Sequence, residues 1–179
     1  AVIHTAARVY GIDTFVVDHE QELAKVLDET GGGEGVTIAV RVRTPAVEGT
    51  FYHLSDKFGA EPAHAALLLR EAHSRGCQIG LAFHVGSQCL VPGAYRQALG
   101  IMGTVLDQAR LPIQLLDVGG GFPVQYVGTN MPPLEDFVAE IEAGMKALKL
   151  RRDCVLMCEP GRALVADGMS LVVQVQLRK

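Results

Sequence analysis

The stretch Gln78-Ile79-Gly80-Leu81-Ala82-Phe83-His84-Val85-Gly86-Ser87-Gln88 carries an apolar run that ends in a histidine, a glycine and a serine. The run over 78–84 is continuous rather than alternating, which is typical of a strand buried on both faces of a parallel sheet. Helical periodicity lies on either side of it, over 62–75 and 93–109. This order of helix, strand and helix predicts an α/β protein.

The same pattern recurs along the chain. Further strands are predicted at 14–18, 37–42, 114–118 and 154–159, and further helices at 1–10, 20–29 and 133–148. Candidate functional residues follow three successive strands, which favours a barrel over a doubly wound sheet with one switch point. A (β/α)8 barrel needs eight strands and about 250 residues. We therefore expect a partial TIM-type barrel of parallel strands.

The ends of the chain indicate that 1–179 is an internal part of a longer protein. The first residue is Ala1, within a segment typical of the second half of a helix, and the segment 171–177 has the pattern of a strand.

Composition excludes several classes of function. The chain has 179 residues, of which 49% are hydrophobic, and a formal net charge of −4 with scattered basic residues. Nothing in this balance favours binding to nucleic acid or to a membrane. Its four cysteines have no metal-site spacing, so we expect reduced cysteines, no metal and a cytoplasmic protein.

The first motif comprises His84, Gly86 and Ser87. An imidazole at a strand end can stack on a planar ring, exchange a proton or simply pack, and on its own packing is favoured. Gly86 permits a sharp turn, and Ser87 adds a hydroxyl within that turn.

The second motif is Asp117-Val118-Gly119-Gly120-Gly121-Phe122-Pro123. Successive glycines allow the backbone to approach a ligand closely, and their N–H groups can converge on an anion. A tight turn between a strand and a loop is an equally good interpretation of three glycines alone.

The third motif, Glu159-Pro160-Gly161-Arg162, combines a carboxylate at the end of a strand predicted to be buried with an arginine after a turn. The arginine fork suits a phosphate. A carboxylate beside a pyridine nitrogen keeps that nitrogen protonated, which makes the ring the electron sink that pyridoxal phosphate chemistry requires. A surface Glu–Arg pair is the alternative.

Together these motifs identify a resemblance. The segments 83–88, 116–123 and 159–166 resemble, in order and spacing, the pyridoxal-phosphate-dependent decarboxylases of the alanine-racemase-like barrel class. This class contains ornithine, diaminopimelate and arginine decarboxylases. Within this class, the residues at 115–123 are most similar to the motif of ornithine decarboxylases.

The resemblance implies a role for each site residue. His84 would stack on the cofactor ring, and Glu159 would pair with its nitrogen. The phosphate contacts are expected from Ser87, Gly121, Gly161 and Arg162, with Gly120 shaping the turn of this cofactor-binding segment. Arg41 is expected to support the site, and Lys57, within Lys57-Phe58-Gly59, corresponds to a subunit-interface position.

The resemblance also implies what this chain lacks and what the whole protein does. Residues 1–179 would form the central and C-terminal part of the cofactor-binding barrel. The Schiff-base lysine would lie before residue 1, and a later β-domain would supply substrate-binding groups, so we expect 1–179 alone to be inactive. The expected activity is decarboxylation of ornithine or a related basic amino acid to a diamine such as putrescine, in polyamine biosynthesis, by a homodimer with shared sites. Diaminopimelate or arginine decarboxylases, a non-catalytic partner-binding homologue and a phosphate-binding barrel of other chemistry are the alternatives.

Overall fold

The computed structural model describes residues 2–48, 50, 57–168 and 170–178. Strands and helices alternate along the chain, as the sequence predicts. The elements are α1 (Val2–Tyr10), β1 (Thr14–Val17), α2 (Glu20–Thr30), β2 (Thr37–Arg41), α3 (Pro62–Ser74), β3 (Gln78–Ala82), α4 (Gly93–Ala109), β4 (Leu115–Asp117), α5 (Leu134–Ala147), β5 (Val155–Met157), α6 (Arg162–Val165) and a 3₁₀ turn (Ala166–Gly168).

The five strands form one sheet in the order β1-β2-β3-β4-β5, and every neighbouring pair is parallel. Each strand follows its predecessor in sequence and in space, which is the strand order of a (β/α)8 barrel and not of a doubly wound sheet. The expected α/β architecture, a partial barrel of parallel strands, is confirmed.

Side chains alternate between the two faces of this sheet. Ile38 and Val40 of β2, with Ile79 and Leu81 of β3, are fully buried on the face that packs against the helices. Small side chains dominate the opposite face, where Ala39, Ala82 and Leu115 form a separate buried cluster. The helix-facing side is thus the main core, and the small residues leave room on the inner face.

Two features of the sequence determine where individual helices begin and end. Pro62 occupies the first turn of α3, where the missing N–H is harmless and the fixed φ suits a helix. Gly31 ends α2 in the left-handed region, at φ +84°, and its N–H donates to carbonyl oxygens of the last turn.

The C-terminal side of the sheet differs from two sequence-based expectations. The strand over 154–159 was expected to be buried, but Val155 and Leu156 of β5 are 60% and 50% exposed, because β5 pairs with β4 alone in the described sheet. The described residues of the predicted strand 171–177 form no strand and are exposed. An apolar β-pattern needs a neighbouring strand to satisfy its backbone groups.

Tyr95 of α4 is the centre of an aromatic cluster under the ends of β3 and β4. Its ring is fully buried, stacks on Phe122 at 5.1 Å between centroids, and meets Phe83 and Phe137 edge-on at 6.3 and 6.0 Å. Its hydroxyl donates to the carbonyl oxygen of Gly120 at 2.9 Å. Burial raises the pKa of this phenol far above its ordinary value, so it remains a donor.

We expect Tyr95→Phe to lower the free energy of unfolding by about 1–3 kcal/mol, because it leaves the buried Gly120 carbonyl without this donor. Urea denaturation of the wild-type and variant proteins measures the change. Tyr10→Phe is the matched control, since Tyr10 is 74% exposed on α1. Equal losses in the two variants would contradict the assignment of this hydrogen bond.

Candidate functional site

The inner face of the sheet brings polar side chains together at the carboxyl ends of the strands. Arg41, Ala82 and Asp117 are neighbours in register across β2, β3 and β4. His84 lies two residues beyond Ala82, and so continues the same face. These side chains border a cavity of about 170 Å³, which is lined by Val16, Arg41, Ala82, Phe83, His84, Asp117 and Glu159.

Arg41 is the cation of this cavity. Its guanidinium lies 5.0 Å from the centre of the Phe58 ring. Burial lowers the pKa of Arg41, while the nearby carboxylates of Asp18, Glu159 and Asp117 act to raise it. Because an arginine stays charged in proteins, it provides a fixed positive charge among these acids.

His84 is held in a defined orientation. Its Nδ1 accepts a hydrogen bond from the N–H of Gly86 at 3.0 Å, and its carbonyl oxygen accepts one from the Thr44 hydroxyl at 3.1 Å. Burial, and secondarily the charge of Arg41, lowers the pKa of the imidazole. An Nδ1 that accepts a hydrogen bond leaves the proton of the neutral ring on Nε2.

Asp117 is a site residue to which the sequence analysis assigned no role. Its carboxylate is 1% exposed, and Oδ1 accepts a hydrogen bond from the N–H of Gly119 at 2.8 Å. Burial, with a further contribution from Glu159, raises its pKa. An acid inside the apolar run before the glycines was the available signal, because buried carboxylates are rare unless they have a partner.

The glycines at 119–121 lie so close to neighbouring atoms that a side chain would not fit there. A Cβ at position 120 would lie 2.6 Å from the carbonyl oxygen of Glu159 and 3.1 Å from Nε2 of His84. At Gly121, where φ is +99°, a Cβ would overlap the carbonyl oxygen of Gly86. Close approach of backbones, rather than flexibility, therefore explains these glycines.

Ser87 and Arg162 meet although they are 75 residues apart in sequence. Nη2 of Arg162 donates to Oγ of Ser87 at 3.4 Å, and Nη1 donates to the hydroxyl of Tyr126 at 2.6 Å. In the described part of the chain, the Nε of Arg162 is buried without a hydrogen-bond partner. Such a donor is costly unless an anion accepts from it.

Two of the remaining predicted residues, Glu159 and Gly161, follow β5, and the third, Lys57, lies between β2 and α3. Glu159 borders the cavity but is exposed, and its N–H donates to the carbonyl oxygen of Gly119 at 2.7 Å. Gly161 precedes α6, and a Cβ there would touch nothing within 4 Å, so its steric freedom is not required. Lys57 is exposed, and its predicted interface role stays a prediction.

These groups fit a flat ring that carries an anionic arm. The cavity offers an imidazole and carboxylates, and the Ser87–Arg162 pair has an unsatisfied buried donor for an anion. The described residues contain no cluster of three metal-ligating side chains, and none of their helices is long and apolar enough to span a membrane.

A second cavity also has titratable side chains in its lining, among them Glu20 and His64. It is larger, about 1060 Å³, and lies between α2 and α3 on the outer side of the sheet. Surface residues of both helices line it, such as Gln21, Asp28 and Arg70. Because it lies away from the strand ends and holds none of the three motifs, we place the candidate site in the smaller cavity.

Comparison with known proteins gives consistent matches. Residues 3–166 match the family described as pyridoxal-dependent decarboxylase, pyridoxal binding domain. A lysine/ornithine decarboxylase of Selenomonas ruminantium is 35% identical over 95% of this chain and 43% of the relative. The crystal structure of a lysine/ornithine decarboxylase from Vibrio vulnificus complexed with putrescine superimposes with a TM-score of 0.71, at 34% identity over 87% of this chain and 40% of that one.

A relative with a different kind of name also matches. Antizyme inhibitor 2 of Xenopus laevis is 31% identical over 94% of this chain and 37% of the relative. The chain thus spans about two fifths of the length of the curated relatives.

We expect the pKa of the His84 imidazole to lie below the ordinary value of 6.5 and to rise in Arg41→Met, which removes a neighbouring positive charge. NMR titration of the histidine resonances measures both values. Arg43→Met is the matched control, because Arg43 pairs with Glu61 and lies outside the cavity. An unchanged His84 pKa in Arg41→Met would contradict this electrostatic coupling.

The same shift has a consequence for stability. Because the pKa of His84 is lower in the folded state, the unfolded chain takes up this proton at higher pH. The contribution of His84 is complete above the ordinary pKa of 6.5 and is lost as the pH falls through the lowered value. Urea denaturation between pH 7 and about pH 5 should show a weaker pH dependence in His84→Gln than in wild type.

Proposed function

The chain belongs to the pyridoxal-dependent decarboxylases through their pyridoxal-binding domain, and from this premise we propose that the protein decarboxylates ornithine or a closely related basic amino acid to a diamine such as putrescine. The observation that carries the proposal is the convergence of His84, Arg41 and Glu159 at one cavity. The Ser87–Arg162 pair offers donors for a phosphate.

The cavity residues act on the ring of the cofactor. When bound, pyridoxal phosphate supplies an electron sink for the electron pair left as carbon dioxide departs. His84 would stack on the ring and present its Nε2 proton, since Nδ1 already accepts from Gly86. Glu159 would pair with the ring nitrogen and hold a proton there. Arg41 balances the charge of Glu159 and the neighbouring acids.

The glycine turns and Arg162 act on the phosphate. Ser87 donates its hydroxyl, and Gly121 and Gly161 offer backbone N–H groups. Gly120 allows the backbone to pass close to His84 and Glu159. Arg162 supplies the positive charge, with its buried Nε as the donor that most needs an acceptor.

The substrate is proposed from the names of the relatives and from the residues of the second motif. Names of the relatives include lysine/ornithine decarboxylase, and the Vibrio vulnificus enzyme is complexed with putrescine. Arginine and diaminopimelate are the other candidate substrates on this scaffold. Polyamine biosynthesis in the cytoplasm, by a homodimer with shared sites and Lys57 at the subunit interface, completes the proposal.

A non-catalytic protein that binds other proteins is the second candidate, because antizyme inhibitor 2 of Xenopus laevis is among the relatives. The residues of this chain favour the enzyme. All four of the expected side chains are present: His84 and Glu159 border the cavity, and Ser87 and Arg162 are joined by a hydrogen bond. Loss of such residues would be expected where no cofactor is bound.

Glu159→Gln in the full-length protein is expected to lower kcat roughly 100-fold or more, because the ring nitrogen loses its proton-holding partner. Thermal denaturation should change little, since Glu159 is exposed. Release of carbon dioxide from the substrate measures activity. Glu71→Gln, on the surface of α3, is the control, and an active Glu159→Gln variant would contradict the proposed role.

A substrate panel tests the proposed reaction itself. We expect kcat/KM to be highest for ornithine, with activity on lysine, when carbon dioxide release is measured with ornithine, lysine, arginine and diaminopimelate. Preference for arginine or diaminopimelate would move the protein to the corresponding group of decarboxylases. Cofactor absorbance with no activity on any of the four would exclude the proposed reaction.

A further inference from the structure

Arg162 and Ser87, which we call the anion cluster, are joined by a hydrogen bond. The loop between β4 and α5 places an aromatic hydroxyl beside them. Tyr126 lies on this loop, its hydroxyl accepts a hydrogen bond from Nη1 of Arg162 at 2.6 Å, and its ring centre lies 5.8 Å from the guanidinium carbon. The sequence motifs do not include Tyr126. Its hydroxyl nevertheless shares Arg162 with Ser87, the serine of the first motif.

The base of this loop is fixed to the first motif. Gln88 is 1% exposed, and its side-chain nitrogen donates to the carbonyl oxygen of Val124 at 2.6 Å. Its side-chain oxygen accepts from the N–H of Val124 at 3.1 Å. These two bonds join the residue after Ser87 to the residue two before Tyr126, so the serine and the tyrosine are held in one arrangement.

The tip of the loop is also ordered. The N–H of Tyr126 donates to the Thr129 hydroxyl at 2.9 Å, and the N–H of Thr129 donates back to the carbonyl oxygen of Tyr126 at 3.1 Å. Gly128, at φ +79°, permits the tight turn between them. The N–H of Met131 donates to the side chain of Gln125 at 3.2 Å. Tyr126 is therefore presented by a turn with its own hydrogen bonds.

We propose that the Tyr126 hydroxyl is a direct ligand of the cofactor phosphate, beside Ser87 and Arg162. A phenol can accept from Arg162 without an anion, and can donate to a phosphate oxygen when one is bound. An anion that accepts from Arg162 at Nη1 or Nη2 lies within reach of both hydroxyls. The inference rests on the proposed function, because it names the phosphate of that cofactor as the ligand.

The test compares ligands with and without a phosphate in the full-length protein. Tyr126→Phe is expected to weaken binding of pyridoxal phosphate roughly tenfold or more, the loss expected for one hydrogen bond to a charged group. Binding of pyridoxal, which has no phosphate, should be unchanged. Absorbance titration measures both affinities. Tyr10→Phe, on exposed α1, should leave both unchanged.

Equal affinity of wild type and Tyr126→Phe for pyridoxal phosphate would overturn the proposal, as would an equal loss for both ligands. A direct ligand must also act without Arg162. In Arg162→Ala, adding Tyr126→Phe should weaken pyridoxal phosphate binding further. No additional loss would mean that Tyr126 only orients Arg162, and would contradict direct contact.

Inorganic phosphate separates failure of this inference from failure of the proposed function. Its binding is measured as protection against thermal denaturation. If wild type binds inorganic phosphate in a Tyr126-dependent way but binds no pyridoxal phosphate, the proposed cofactor is wrong and the phosphate ligand stands. If wild type binds pyridoxal phosphate and Tyr126→Phe binds it equally well, the function stands and the inference fails.

Discussion

The close approach of the Gly119–Gly121 backbone to the ends of β3 and β5 is the constraint on which the rest of the site depends. A Cβ at any of these three positions would overlap or crowd a carbonyl oxygen, that of Phe83, Glu159 or Gly86. The same segment is fixed from below, since Tyr95 donates to Gly120 and the N–H of Cys89 donates to Gly121. Backbone contacts therefore hold the three motifs together, and these contacts determine where the side chains of the site lie.

The charges of the cavity follow from this packing. Arg41 lies among three acids, and two of them are next to the glycine segment: Asp117 ends β4, and Glu159 follows β5 and bonds to Gly119 through its N–H. Burial disfavours the charged form of both groups. It therefore lowers the pKa of Arg41 and raises the pKa of Asp117. Each group is tolerated because the other is present. Removal of Arg41 would leave the buried carboxyl group of Asp117 without this neighbouring cation, so the role of Arg41 in the site is electrostatic.

The sequence predicts well what depends on regular periodicity. The bounds of α4 agree with the prediction over 93–109, and the cores of all five strands lie within the predicted runs. Exposure of β5 was not predictable, because an apolar run does not reveal how many neighbours its strand will have. The strand predicted over 171–177 is not formed for the same reason, because an apolar strand pattern needs a neighbouring strand to pair with.

The residues missed by sequence reasoning are those whose role depends on contacts between distant segments. Tyr126 reaches Arg162 across 36 positions, and Gln88 clamps Val124 over the same separation. No local period encodes such a contact. Asp117 differs, because an acidic residue within a run predicted to be buried is a local indication of a site residue.

The position of β5 gives the anion cluster a structural as well as a chemical role. β5 has one described neighbour and exposed side chains, so it is joined to the core mainly through backbone bonds to β4, such as Val118 to Met157 at 2.9 Å. Arg162 extends from the residues after β5 back to Ser87, which follows the fully packed β3. An anion bound by Arg162 and Ser87 together connects the edge of the sheet to its centre. Because such a ligand binds the folded arrangement and not the unfolded chain, its binding energy stabilises this edge. Binding of an anion by Arg162 and Ser87 would therefore favour the packed position of β5 and of Glu159, which follows it.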